Sequence, residues 1–314
     1  MEGLIFIPFC NLIINYWKGG FSMNKWTRVK SGKIRDVWLS ENGKLVALVA
    51  SDEVSANDER LGIHIREKGK LLTKFSMKWF RLTEGIVPNA LITTDVDSMP
   101  SCFQNEFFKG RTTEMYALKM IPIEAVVRGY ITGTMWSKYK NGERKISDYD
   151  MPEGLLESQK LAESIYTPTT KSPYGEHDIT IDFEKTVKII EEAGFSEPRK
   201  TAKRMRDYSL ELYSICSKYA LEHGVILADT KFEFGVDNFG ILRVADEMCT
   251  PDSSRFWLAE NYEAGRSQEH YSTFIIREYV KCMATETNKR PYVPIDIIGK
   301  TERRYYELYR LLFG

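Results

Sequence analysis

Hydrophobic and polar positions are patterned most tightly between His223 and Trp257. Val225-Ile226-Leu227-Ala228 is a short, continuous apolar run behind Gly224, which predicts a buried strand. Beyond Ala228 the pattern becomes strict alternation. Because side chains on a strand alternate faces, Asp229, Lys231 and Glu233 share one side, and Phe232 and Phe234 share the other. Asp237-Asn238-Phe239-Gly240 is a turn signal ahead of a second strand-like run, Ile241 to Asp246, so a hairpin is predicted. If Val236 pairs with Ile241, Asp246 falls opposite Lys231 and diagonal to Asp229 and Glu233. Three carboxylates and an amine then crowd one patch.

Elsewhere the same reading gives strands around Lys33 to Trp38 and Leu45 to Ala50, joined by a turn at Asn42-Gly43. Leu71, Leu72, Phe75, Trp79 and Leu82 recur at helical spacing, read as core rather than as a cofactor box. A strand from Met115 to Met120, a linker, and a buried strand ending in a Gly-rich loop near Thr134 follow. Lys138 to Leu156 is polar and loop-rich. Pro168 and Pro173 forbid regular helix in the hydroxyl-rich stretch after Ile165. Glu184 to Ala193, Lys200 to His223, Phe274 to Met283 and Thr301 to Phe313 read as helices, the second stopped by Gly224.

At 314 residues the chain exceeds the usual single-domain size, so two lobes are expected, residues 23–118 and 119–314. Leu4 to Trp17 is apolar but too short to span a bilayer. Residues 1–22 are read as an extension ahead of a natural start at Met23, with a membrane-surface segment as the alternative. The 44 basic residues balance 44 acidic ones, which argues against coating nucleic acid while leaving room for a local phosphate pocket. Five cysteines without a Cys-x-x-Cys pair fit a reducing, cytoplasmic setting, and four scattered histidines give no zinc spacing.

The acidic face constrains the chemistry. Carboxylates a few ångströms apart repel and raise one another's pKa unless a cation joins them, and Mg²⁺ suits such oxygen donors. The alternative is a solvent-facing hairpin whose charges are merely solvated. Gly32 permits close backbone approach, and Lys33 and Arg35 alternate onto one face beside it, suited to a triphosphate. Neither a P-loop nor a Rossmann glycine pattern occurs. Ser51 to Asp58 lies where functional loops sit, though a capped turn explains its polarity equally. Arg128, directly after Ala125-Val126-Val127, requires an anion: a ligand phosphate or carboxylate, or a buried ion pair.

Seven blocks in register resemble the SAICAR synthetase family: Gly32-Lys33-Ile34-Arg35-Asp36; Ser51 to Asp58; Val127 to Thr134; Tyr166 to Lys171; Gly175-Glu176-His177-Asp178; Ala228 to Gly235; and Asp246 to Trp257. The resemblance spans about Lys25 to Phe313. It implies an α+β fold, with a β-rich N-terminal lobe over a larger α/β lobe and ATP in the cleft. It implies a ligase joining L-aspartate to carboxyaminoimidazole ribotide, with release of ADP and phosphate, in purine biosynthesis. By the same resemblance Gly32, Lys33 and Arg35 cover the nucleotide, and Glu233 and Asp246 hold Mg²⁺. Asp58, Arg128, Thr134, Asp252 and Arg255 bind substrate, and Lys33, Asp229 and Lys231 are catalytic. Its expected partners are small molecules, neither nucleic acid nor membrane, and the protein acts as a monomer or homodimer. Thr134 stands where serine is common, Glu53 where a basic residue is common, and Asn57 where an aromatic one is. Two other functions fit a nucleotide cleft: a kinase, and a catalytically silent nucleotide-binding protein.

Overall fold

The structure, a computed structural model, describes residues 25–32, 34–56, 59–171, 178–287 and 292–314. Lys33, Asn57, Asp58, the block Gly175-Glu176-His177 and the extension 1–22 fall outside the described residues.

The chain opens with β1 (Trp26–Ser31), β2 (Arg35–Ser40) and β3 (Leu45–Ala50), then the hairpin of β4 (Glu53–Ala56) and β5 (Glu59–His64), helix α1 (Lys68–Leu82), β6 (Leu91–Thr93) and β7 (Thr112–Tyr116). Strands β1-β2-β3-β7-β6 form one five-stranded sheet. Next come β8 (Lys119–Met120), β9 (Ile123–Tyr130), α2 (Gly133–Lys140), β10 (Lys145–Ile146), β11 (Tyr149–Asp150), β12 (Lys160–Tyr166), β13 (Thr169–Thr170), α3 (Phe183–Glu192) and α4 (Pro198–Glu222). The chain ends with β14 (Val225–Val236), β15 (Leu242–Ala245), β16 (Ser254–Leu258), α5 (Phe274–Thr287) and α6 (Ile295–Phe313). A seven-stranded sheet gathers β8, β9, β12, β13, β14, β15 and β16 around β14. The fold is α+β, as the resemblance implies. Among the described residues no helix is long and apolar enough to cross a membrane.

The long strand β14 borders β9 and β8 on one edge and β16 and β15 on the other. It is not a uniform ribbon. Leu227 pairs with Phe256, but Asp229 pairs with Arg255, so Ala228 is an extra residue and the strand is bulged there. Before the bulge Val225 and Leu227 enter the main hydrophobic core; after it Phe232 and Phe234 do. Ile226 and Ala228 pack instead with Tyr130 and Trp257. The core-facing parity therefore switches from odd to even, and Asp229, Lys231 and Glu233 are left on the other side.

Helix α4 covers the core face of β14 with Met205, Leu212, Tyr213 and Cys216, all buried. Helix α1 buries Leu71, Leu72, Phe75 and Trp79 as its periodicity predicts, while Leu82 at its last turn is 38% exposed, and its aromatic rings meet α6 edge-on: Phe75 against Tyr309 at 5.3 Å and Trp79 against Phe313 at 5.1 Å.

Two sequence expectations need correction. The hairpin pairs Val236 with Leu242 and Glu233 with Ala245, one residue away from the Val236–Ile241 register, so Asp246 is not opposite Lys231. The cause is the turn, which takes five residues because Asp237 Oδ1 accepts hydrogen bonds from the amides of Phe239 (2.8 Å) and Ile241 (2.9 Å). The Gly-rich loop expected near Thr134 and the first residues of the loop-rich stretch from Lys138 belong to one helix, Gly133–Lys140, whose first residue takes φ +58°, a conformation glycine adopts readily.

Asp237 also accepts from Arg243 Nε at 2.7 Å. Burial pushes its carboxyl upward, but the two amides and the guanidinium outweigh this and hold it below the usual carboxylate range. A lowered pKa gives stability that is full above the unfolded-state value, about 3.9, and is lost as pH falls through the folded value. Asp237→Ala is expected to lower the unfolding free energy by about 1–2 kcal/mol at pH 7 and to flatten its decline below about pH 4. Urea unfolding at pH 7 and pH 3 checks both, and an unchanged acid limb contradicts this account of the turn.

Candidate active site

Asp229 is flanked across both neighbouring strands by arginine: its register partners are Arg128 on β9 and Arg255 on β16. Asp229 Oδ2 accepts from Arg128 Nη1 at 3.0 Å and also from Arg255 Nη1. Arg128 Nε donates to Thr167 Oγ1 at 3.0 Å. Of the alternatives for Arg128, the ion pair is present. Burial lowers the pKa of Arg128, Asp229 opposes this, and Arg255 adds to the lowering. Gly133 gives Arg255 its room, since a Cβ there would stand 2.5 Å from Arg255 Nη2. Thr134, exposed, sits in the first turn of α2 beside it.

Two positions on, Lys231 Nζ is paired with Glu124 of β9. Burial works against its charge, but Glu124 and then Glu233 raise its pKa, so it remains an ammonium. Glu233 Oε2 meets Lys171 Nζ at 2.6 Å, the last residue of the Tyr166–Lys171 block. Burial would raise Glu233, yet Lys171 and Lys231 hold it below the ordinary carboxylate range.

Asp246 reaches this group although the register does not carry it there. It follows the last pair of β15 and takes φ +61°, turning the chain out of the strand. Its Oδ1 lies 3.6 Å from Arg35 Nη1, while Arg35 Nη2 bonds Glu247 Oε2 at 2.7 Å. Burial pushes the Asp246 carboxyl up to about 6, against Arg35 and reinforced by Glu233 and Glu247. Such pressure is what a cation relieves. Among the described residues no three His, Cys, Asp or Glu side chains group to hold a metal by themselves. Two carboxylates with the remaining positions taken by ligand oxygens suit Mg²⁺.

Arg35 thus joins the five-stranded sheet to the loop after β15, and the close approach that Gly32 permits is to its own chain. Gly32 N bonds Arg35 O at 2.8 Å, and a Cβ on Gly32 would stand 2.6 Å from that oxygen. Glu53, the departure from a basic residue, lies 3.2 Å from Arg60 Nη1, and Arg60 also donates to Ser31 Oγ at 2.9 Å and to Gly32 O. The acidic side chain therefore helps to tie β4–β5 to the Gly32 turn. The Ser51–Asp58 segment is not a capped turn: Glu53–Ala56 is strand β4, and Asp52 accepts from Gly69 N at 2.9 Å at the start of α1 and from Arg111.

The side chain of Asp252 is buried, with Lys68 Nζ 2.6 Å from Oδ2 and Tyr305 OH bonded to Oδ1. Burial raises its pKa, but Lys68 reverses the balance and lowers it. It joins the turn before β16 to α1 and α6. Lys171, Glu124, Glu247 and Lys68 join these groups without being singled out by local pattern: Lys171 and Glu247 lie inside the Tyr166–Lys171 and Asp246–Trp257 blocks, Glu124 follows from the β9–β14 register, four residues before Arg128, and Lys68 gives no local signal.

The sequence profile described as SAICAR synthetase matches residues 28–292. A phosphoribosylaminoimidazole-succinocarboxamide synthase of Lachnospira eligens is 43% identical over 93% of this chain and 97% of its own length. One of Thermodesulfovibrio yellowstonii is 41% identical over 90% and 94%. Among solved structures, the SAICAR synthase of Saccharomyces cerevisiae, complexed with SAICAR, superposes with a TM-score of 0.78 at 33% identity, covering 93% of this chain and 95% of that one.

Proposed function

This chain belongs to the SAICAR synthetase family, and from that premise we propose that it joins L-aspartate to carboxyaminoimidazole ribotide at the expense of ATP, giving SAICAR, ADP and phosphate. The observation that carries the reading is the face of β14, where Asp229, Lys231 and Glu233 are met by Arg128, Arg255, Lys171 and, through the neighbouring Asp246, Arg35.

The ribotide carboxylate is a poor electrophile, so it first attacks the γ-phosphorus of ATP, forming an acyl phosphate and releasing ADP. The aspartate amine then attacks the acyl carbon, the C–N bond forms as the C–O bond to phosphate breaks, and the amine's proton passes to solvent. Little covalent chemistry falls to the protein; its share is positioning and neutralising charge. Glu233 and Asp246 would hold Mg²⁺, which when bound screens the phosphate oxygens. Gly32, Lys33 and Arg35 cover the nucleotide. Arg128, Arg255 and Thr134, with the N-terminus of α2, form a cradle for the ribotide phosphate, since helix N-termini and guanidinium forks both favour such anions. Asp58 is assigned to the ribotide with them. Asp252 acts without touching the ribotide, holding the turn that leads into β16 and Arg255. Lys231, kept as an ammonium by Glu124, stabilises developing negative charge rather than taking a proton. The cleft lies between lobes 23–118 and 119–314, and the enzyme works in the cytoplasm as a monomer or homodimer.

Incubation with ATP, Mg²⁺, L-aspartate and the carboxylated ribotide tests the reading by mass detection of SAICAR. Product that requires aspartate supports the ligase; ADP formed equally without aspartate identifies a kinase; nucleotide binding without turnover identifies a silent protein. Gly32→Ala is expected to raise the KM for ATP about tenfold while leaving the KM for the ribotide within about twofold, because the added Cβ displaces the turn onto which Arg35 is built. Equal changes in both constants contradict this division of the site.

A further inference from the structure

The face that Asp229 occupies is set by the bulge at Ala228. Were the register of Leu227 and Phe256 continued without an extra residue, Asp229 would pair with Ser254, and Arg255 would lie opposite Ala228 on the other face of the sheet. Asp229 would also keep the parity of Val225 and Leu227, which points into the main core. One inserted residue therefore turns Asp229 outward and brings it level with Arg255. A bulge leaves backbone groups outside the ladder, and those groups need partners.

They find one in Tyr213 of α4. Its hydroxyl, buried, donates to Leu227 O at 2.6 Å and lies 3.3 Å from Ala228 O, the two carbonyls on either side of the parity switch. The hydroxyl needs space between the strands, and Gly129 of β9 supplies it. A Cβ at Gly129 would fall within the hydroxyl and 3.1 Å from the ring carbon Cζ. Gly129 immediately follows Arg128, whose register partner is Asp229. One hydroxyl and one missing methyl thus meet beside all three members of the Arg128–Asp229–Arg255 group.

We propose that Tyr213, seated against Gly129, locks the bulge at Ala228 and is a positioning residue for the ribotide-binding arginines, acting through Asp229. The inference rests on the ligase reading above and adds to it a residue that touches no substrate. Local loss of this lock should loosen the arginine pair while leaving the nucleotide side, built on Gly32 and Arg35, as it is.

Titration calorimetry with SAICAR and, separately, with ADP is the test. Tyr213→Phe is expected to weaken SAICAR binding about tenfold, because the carbonyls lose their donor, and to leave ADP binding within about twofold. Gly129→Ala, which crowds the same hydroxyl from β9, should show the same selectivity. In the unsubstituted protein, amide hydrogen exchange around Ala228 should be slow before SAICAR is added, since the lock is built into the fold; this holds as a test even if neither variant folds. SAICAR binding unchanged in Tyr213→Phe, SAICAR and ADP weakened together, or protection at Ala228 that appears only with SAICAR each overturns the proposal. An unsubstituted protein that binds no SAICAR overturns the ligase reading instead.

Discussion

Asp229→Asn is expected to lower the unfolding free energy by about 3–5 kcal/mol, the range seen when one member of a buried ion pair is removed and the other stays charged. The effect is at the upper end because two guanidiniums, not one, lose their counter-charge, and Arg128 is 7% exposed. Burial and Arg255 already press Arg128 toward losing its proton, with Asp229 as the opposing influence. The amide preserves the shape of the carboxylate, so the loss is electrostatic rather than a cavity. Urea unfolding measures it: the midpoint should fall with an unchanged m-value. A ligand phosphate that replaces the lost charge should restore part of the midpoint, so SAICAR should stabilise Asp229→Asn more steeply than it does the unsubstituted protein. A loss below about 1 kcal/mol would mean that the two arginines are satisfied elsewhere.

Glu233→Gln is expected to reduce kcat by about 10²- to 10³-fold, comparable to removing one group that stabilises transition-state charge. The substitution takes away a hard oxygen donor and at the same time strands Lys171, which lies 2.6 Å from it. Adding Mg²⁺ should recover part of the rate, because weakened metal affinity is overcome by mass action. Asp246→Asn should act in the same direction. Full turnover in either variant at limiting Mg²⁺ would refute the metal assignment.

The alternating stretch after Ala228 was legible because period-two patterning is local: Phe232 and Phe234 are buried and Asp229, Lys231 and Glu233 share the opposite face. The helices at 71–82 and 200–223 were equally readable from their apolar stripes. What the pattern did not contain was the position of Asp246. Register across a hairpin depends on how many residues the turn takes, and the Asp237 side chain decided that by capping two amides. Asp246 then returned to the site through a left-handed backbone, which no hydrophobic periodicity encodes. Lys171 and Glu124 were hidden differently: Glu124 joins the site only when β9 is laid beside β14, and Lys171 only when β13, which precedes it, pairs with β9. The bulge at Ala228 was hidden too, since an unbroken apolar run looks the same whether the odd or the even residues face the core.

The Lys68–Asp252–Tyr305 contact bears on how the chain reaches its native state. Lys68 begins the first described helix and Tyr305 lies in the last, so this buried charge is fully satisfied only after a loop closure spanning most of the sequence. Contacts of such separation form late, because chain entropy is lost before they contribute anything. During synthesis the loop between β15 and β16 would emerge with its carboxylate at 252 still short of a partner, and would settle only when α6 docks on α1. Assembly of the catalytic floor is thereby tied to completion of the chain, so a nascent protein should acquire ligand affinity in a single late step rather than gradually.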